Sequence, residues 1–238
     1  RSGYVAMYGP PTSGYVRAPA RFALVLLLLC AALAGLTAPA AAQCAGSVYL
    51  SSQSDVEAFD CEVVGDSLVI RSLDDAITSV EALSQLTRVD GPLLVLDNGS
   101  LDDLAGLEAL TMVGGDLVVR DNAIVRTLDA LSALTAVGGT LLVEANASLE
   151  NVDGLTRVRT VGGDAALVDL PALDRLGAFD QLVSVGGTLR FDGLSMLSAL
   201  DDFAALSTLG GLEVTGLPLL QQFRSLPLVE RVEGAIRW

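Results

Sequence analysis

Val113-Gly114-Gly115 is a phrase the chain keeps repeating: Val137-Gly138-Gly139, Val161-Gly162-Gly163, Val185-Gly186-Gly187 and Leu209-Gly210-Gly211 follow at intervals of 24 residues. Weaker copies stand at Val64-Gly65, Val89-Asp90-Gly91 and Val232-Glu233-Gly234. A fixed period of this size marks a solenoid, in which each repeat is one coil that buries its apolar side only by stacking on its neighbours. Few other sequence features restrict the fold so narrowly.

The spacing inside the repeat says what kind of coil it is. With the valine before the glycine pair as position 0, apolar residues fall at 0, 4, 6, 12, 15, 18 and 21, and a special residue falls at 9. One coil reads Val113, Leu117, Val119, Asn122, Val125, Leu128, Leu131 and Leu134. The coil before it reads Val89, Leu93, Val95, Asn98, Leu101, Leu104, Leu107 and Leu110. Positions 4 and 6 alternate as a strand does. The Leu-x-x-Leu tail resembles a helix pattern, but three residues advance an α-helix by only about 300°, so the row drifts off any one face. Turns, short strands or 3₁₀ pieces with three residues per side keep it inside. The glycine pair predicts a corner where neither a side chain nor an ordinary φ fits.

Position 9 changes along the chain. It is asparagine at Asn98, Asn122 and Asn146, then leucine at Leu170, Leu194 and, after a one-residue deletion, Leu217. A site that accepts leucine three times running points inward, so the asparagines are expected to form an internal ladder. Asn98-Gly99-Ser100 and Asn146-Ala147-Ser148 are also N-glycosylation sequons, which makes Asn98 and Asn146 the alternative glycan acceptors. A buried residue is a poor acceptor.

The ends set the expected compartment. After Arg17 and Arg21 an apolar run from Phe22 to Leu36 leads to Ala40-Ala41-Ala42-Gln43. A basic flank, an apolar run of about 15 residues and a small-residue site read as a secretory signal peptide cleaved after Ala42. An uncleaved signal anchor is the rival, with a run short of the roughly 20 residues of a membrane span. The expected organisation is a leader over 1–42, an N-terminal cap over 43–63 and a repeat solenoid over 64–238 that is incomplete at its C-terminus.

Without the leader, 11 arginines face 29 acids, a balance of −18, and the chain has no lysine. Such a surface repels nucleic-acid phosphates and anionic membranes, which excludes a nucleic-acid partner. Membrane attachment would come only through a signal anchor or a C-terminal anchor. Cys30 leaves with the leader, and the remaining pair, Cys44 and Cys61, is expected to form a disulfide in an exported chain.

The segment between those cysteines has its own logic. Ser47-Val48-Tyr49-Leu50 reads as a short strand, and Ser51-Ser52-Gln53-Ser54 as an N-cap cluster leading into Asp55-Val56-Glu57-Ala58-Phe59, a turn or two of helix. Together they read as a lid over the first coil, whose edge is otherwise apolar and unpaired.

Cys44, the Ser51 to Val56 segment, Phe59, Cys61 and Val64-Gly65-Asp66-Ser67-Leu68-Val69-Ile70 resemble the opening of the receptor L-domain family. That family includes the ligand-binding lobes of insulin-receptor and epidermal-growth-factor-receptor type proteins and related glycolipid-anchored cell-wall proteins. The repeated V-G-G-x-L-x-V and Asn-x-x-Leu pattern extends the resemblance from Cys44 to Trp238, and its regular period also resembles a leucine-rich repeat. The resemblance implies a right-handed parallel β-helix of about seven 24-residue coils, a helical cap fastened by Cys44 and Cys61, and display outside the cell.

Catalytic chemistry finds little to stand on. There is no histidine, which removes Ser-His-Asp and Cys-His arrangements and His-bearing metal sites. The glycine pairs open strands rather than helices, so they are not phosphate loops. The acid pairs Asp74-Asp75, Asp102-Asp103 and Asp201-Asp202 read as a solvated rim. The expected function is a secreted or cell-surface binding or adhesion module whose solenoid faces contact protein or glycan, with no catalysis, cofactor or metal. The alternatives are a β-helical polysaccharide-cleaving enzyme using paired aspartates and a purely structural cell-wall protein.

Overall fold

The computed structural model of the 238-residue chain describes residues 42–72, 77–200, 203–223, 231–232 and 236–237. Residues 1–41 of the leader, Asp74-Asp75, Asp201-Asp202 and Trp238 lie outside the described residues. The chain folds as a parallel β-solenoid of about seven coils of about 24 residues, with little helix.

Each coil contributes one short and one longer strand, and each type stacks into its own parallel ladder. The first ladder runs through β1 (Gln43–Cys44), β3 (Val63–Val64), β5 (Arg88–Val89), β7 (Met112–Val113), β9 (Ala136–Val137) and β11 (Thr160–Val161). The second runs through β2 (Val48–Leu50), β4 (Leu68–Arg71), β6 (Leu93–Leu96), β8 (Leu117–Arg120), β10 (Leu141–Glu144) and β12 (Ala165–Val168). Both ladders meet in β13 (Ser184–Asp192); after the short β14 (Ala199–Leu200), β15 (Thr208–Thr215) stacks on β13. The register follows the repeat, with Leu93, Leu117, Leu141, Ala165 and Leu189 opposite one another in sequence.

The apolar positions fill a continuous lumen. In the coil from Val113, residues Val113, Leu117, Val119, Val125, Leu128, Leu131 and Leu134 are essentially inaccessible. The leucine-rich tail is made of bends and 3₁₀ pieces, Glu81–Leu83, Asp129–Leu131 and Asp153–Leu155, as three-residue sides require. In the later coils aromatic rings take over part of the filling. Phe179 stacks on Phe203 at 6.1 Å, and Phe191 meets their rings at 6.5 and 5.9 Å.

The glycine corners correct one expectation. Their φ is ordinary: the positive-φ glycines are Gly106, Gly177, Gly193 and Gly216, none of which belongs to a glycine pair. Space is what selects glycine. A Cβ on Gly138 would sit 2.1 Å from the carbonyl oxygen of Gly114, and one on Gly162 would sit 2.1 Å from that of Gly138. The backbone stays bonded around the corner, with Gly138 N–H donating to Val113 O and Gly139 N–H to Gly115 O. The one-residue deletion falls here too, because Val185 faces Leu209 while Thr188 already faces Gly211.

The N-terminal cap is part of the ladders as well as a lid. Gln43 pairs with Val63 and Val48 with Leu68, so the first coil begins inside the cap. Helix α1 (Gln53–Glu57) is capped by Ser52, whose hydroxyl accepts from Asp55 N–H. The Gln53 amide ties the helix to the first coil, its oxygen accepting from Thr78 N–H and its nitrogen donating to Ser79 O. Val56, Phe59 and Cys61 close the end of the lumen.

Candidate binding face

Strands of the second ladder alternate as strands must, with positions 4 and 6 facing the lumen and positions 5 and 7 facing outward. The outward row at position 5 runs in register through Val69, Leu94, Val118, Leu142 and Ala166. Leu96 and Val168 flank it at position 7. These side chains form a second apolar cluster, separate from the lumen.

The cluster is closed off from water: Leu94 is 2% exposed, Val118 4%, Leu142 7%, Val168 8% and Leu96 9%. Among the described residues the strands of this ladder pack mainly on their ladder neighbours, and α1 lies against β2. Strands apolar on both sides belong to parallel sheets covered on both sides. The signal was in the sequence as unbroken apolar runs, Leu93-Leu94-Val95-Leu96, Leu117-Val118-Val119 and Leu141-Leu142-Val143, where a solvent-facing strand alternates with polar residues. Attention to positions 4 and 6 alone passes over it.

Polar groups border the stripe without interrupting it. Along one side Arg71 pairs with Asp97 at 2.9 Å, Arg120 with Asp121 at 3.0 Å, and Arg190 with Asp192 at 2.6 Å. Such partly exposed pairs are worth about 0–1 kcal/mol each. The row ends at Arg190 and Glu213 on one side of the stack and at Tyr49 on the other. Burial raises the Tyr49 phenol above its ordinary range, Arg71 opposing and Asp97 adding. Burial also pushes Asp192 up, but hydrogen bonds from Thr215 and Arg190, the Arg190 charge and the Gly193 N–H outweigh it and hold the carboxyl low.

The position-9 asparagines stack inside. Asn98, Asn122 and Asn146 are fully buried. Asn98 Nδ2 donates to Ile70 O and to Asn122 Oδ1, both at 3.0 Å, and its Oδ1 accepts from Ser72 N–H at 2.8 Å. Asn122 Nδ2 donates to Val95 O and to Asn146 Oδ1, and Asn146 Nδ2 donates to Val119 O. The backbone N–H groups of Asn98 and Asn122 reach the Oδ1 of the next asparagine. In the sequons, therefore, the nitrogens of Asn98 and Asn146 that a glycan would occupy are engaged in these bonds.

A column missed in the sequence explains the bend. The residue before each ladder position, at position 8, lies in the left-handed region: Asp97, Asp121, Ala145 and Asp169 have φ of 57°, 58°, 54° and 51°, and Gly193 and Gly216 continue it at 68° and 70°. Asp and Gly tolerate that conformation, and their recurrence was the available signal.

Cys44 and Cys61 form the disulfide, their Cα atoms 5.8 Å apart. Asp60 lies close enough to join them as a metal-ligand group, but both sulfurs are consumed, which leaves a single exposed carboxylate. Of the acid pairs, Asp102 and Asp103 are described, both exposed, and Asp103 accepts the Ala105 N–H in a turn. These features define a class, a disulfide-capped parallel β-solenoid with an apolar outer face. No family model, curated protein or solved structure matches the chain.

Proposed function

We propose that the processed chain is an extracellular or cell-surface binding module of receptor L-domain type, which holds a protein partner against the outer face of its second ladder. The observation that carries the reading is the apolar row from Val69 to Ala166, on strands that are apolar on both sides. A contiguous row of aliphatic side chains offers no hydrogen bonds to sugar hydroxyls, so it favours a protein over a glycan. The Cys44–Cys61 disulfide supports an oxidising compartment.

The test applies fluorescently labelled 43–238 chain to intact cells and compares it with Val118→Glu and Leu142→Glu. Both changes place a charge on the outer face without touching the lumen. The expected result is cell-surface binding that either change reduces at least about tenfold, the scale of a lost central contact, in variants whose circular dichroism retains the parental β signal. Equal binding by variants and parent would remove this face from the function.

A further inference from the structure

Asn98 is followed by Gly99, whereas its ladder partners Asn122 and Asn146 are followed by Ala123 and Ala147. We propose that Asn98-Gly99 is a self-modification site gated by the fold. The closed ladder keeps the Asn98 amide intact, and a chain whose coil has opened deamidates there and no longer closes the ladder. The proposal needs no partner and is independent of the binding role.

The chemistry is set by the peptide bond that follows the asparagine. The Gly99 main-chain nitrogen, having given its proton to water or hydroxide, attacks Asn98 Cγ. The N–Cγ bond forms, the Cγ–Nδ2 bond breaks, and Nδ2 leaves as ammonia. Water then opens the succinimide ring at either carbonyl, leaving aspartate or isoaspartate at position 98. A Cβ on the attacking residue crowds this ring closure and narrows the backbone freedom it needs, so glycine in that place reacts faster than alanine.

The ladder opposes the attack by holding the amide. Asn98 is fully buried, its Nδ2 donates to Ile70 O and Asn122 Oδ1, and its Oδ1 accepts from Ser72 N–H. For Cγ to swing over the Gly99 nitrogen, these bonds to the coils on both sides must break. Gly99 itself is not held: it lies in an exposed turn, and a Cβ there would meet nothing within 4 Å. Its φ is not positive either, so neither space nor conformation calls for glycine at 99. The restraint therefore sits on the amide and vanishes with the ladder.

Neither product fits the place it left. Aspartate exchanges the Nδ2 donor for an oxygen that faces two acceptors, Ile70 O and Asn122 Oδ1, and brings a negative charge into a buried site. Isoaspartate routes the main chain through Cβ and lengthens it where Asn98 N–H must reach Asn122 Oδ1 and Asn98 O must accept from Leu101 N–H. A chain that has opened and reacted is thereby marked, and its coil stays open.

The test holds the full chain in native buffer, and in denaturant that abolishes its β signal, at one mildly alkaline pH and one temperature. The chain has no lysine, so trypsin cuts after arginine alone, and Asn98 and Asn122 are the single asparagines of separate peptides, 89–120 and 121–126. Mass analysis of these peptides, with isoaspartate resolved from aspartate, reads the conversion. Asn98 should convert in denaturant and at least about tenfold more slowly in native buffer, where reaction waits on opening, while Asn122 lags behind Asn98 in denaturant. Gly99→Ala, which the open turn accommodates, should keep the parental circular dichroism and suppress most of the conversion in denaturant. On return to native buffer, converted chains should collect in the protease-sensitive fraction. Equal rates at Asn98 in the two conditions, conversion of Asn122 as fast as that of Asn98, or converted chains that regain parental protease resistance would overturn the proposal.

Discussion

Ala145 is the one residue in the left-handed column, from Asp97 to Gly216, that is neither aspartate nor glycine. An L-residue with a plain Cβ pays about 1–2 kcal/mol there, partly offset by the extra freedom glycine has when unfolded. Ala145→Gly should therefore raise stability by about 0.5–1 kcal/mol, read as a higher midpoint in urea with an unchanged slope. One position on, the asparagine ladder links residues whose removal is not independent. Asn122→Leu deprives Asn98 of its side-chain partner and leaves the Asn98 N–H buried without its acceptor, a cost of about 2–4 kcal/mol. Changing Asn98 and Asn122 together should cost less than the sum of the single changes by about 1 kcal/mol. A double-mutant cycle in denaturant measures this, and strict additivity would mean that the amides do not act as a column. The ladder was legible in the sequence because leucine replaces asparagine at the same phase three times. The left-handed column beside it was harder to see, since aspartate, alanine and glycine share no hydrophobicity signal.

Within the elements, the corner and the cap make different demands. The corner glycines are chosen by the backbone of the preceding coil, so Gly138→Ala must push apart two hydrogen-bonded coils. The expected loss is about 3 kcal/mol, the upper part of the overpacking range, seen as a lower thermal midpoint. The repeat showed that glycine belonged there but not why, because a steric demand set by a residue 24 positions earlier is visible only once the coils are stacked. In the cap, burial pushes Asp55 up, but the hydroxyls and N–H groups of Ser51 and Ser52 more than offset this and hold its carboxyl below the ordinary value. A depressed folded-state pKa means stability that is complete above the unfolded value near about 3.9 and is lost as pH falls through the folded one. Acid titration of the parent should thus show cap stability falling below about pH 4, and Asp55→Asn should flatten that fall. The outward apolar rows were equally open to a reader of the strands, as runs with no polar interruption, yet a period-based reading favours the phases that repeat most strictly.

Over the whole molecule, the longer-strand ladder and the lumen were foreseeable from the spacing alone, because stacking repeats leaves little choice of fold, whereas the short ladder that ends at the valine before each glycine pair carries no alternation of its own. The joining of both ladders in β13 and β15 was not, since it depends on how straight each corner runs. Coils between Val89 and Val185 present matching backbone edges above and below. Inserting a second copy of residues 113–136 should extend the particle by one strand spacing, about 4.8 Å, with melting temperature held or raised. Small-angle scattering would register the added length, and a misfolded or shortened product would contradict it. Coil number thus behaves as an adjustable setting: the molecule can be made longer or shorter in fixed increments, much as a ruler is cut at its marks, while the cap at its start stays as it is.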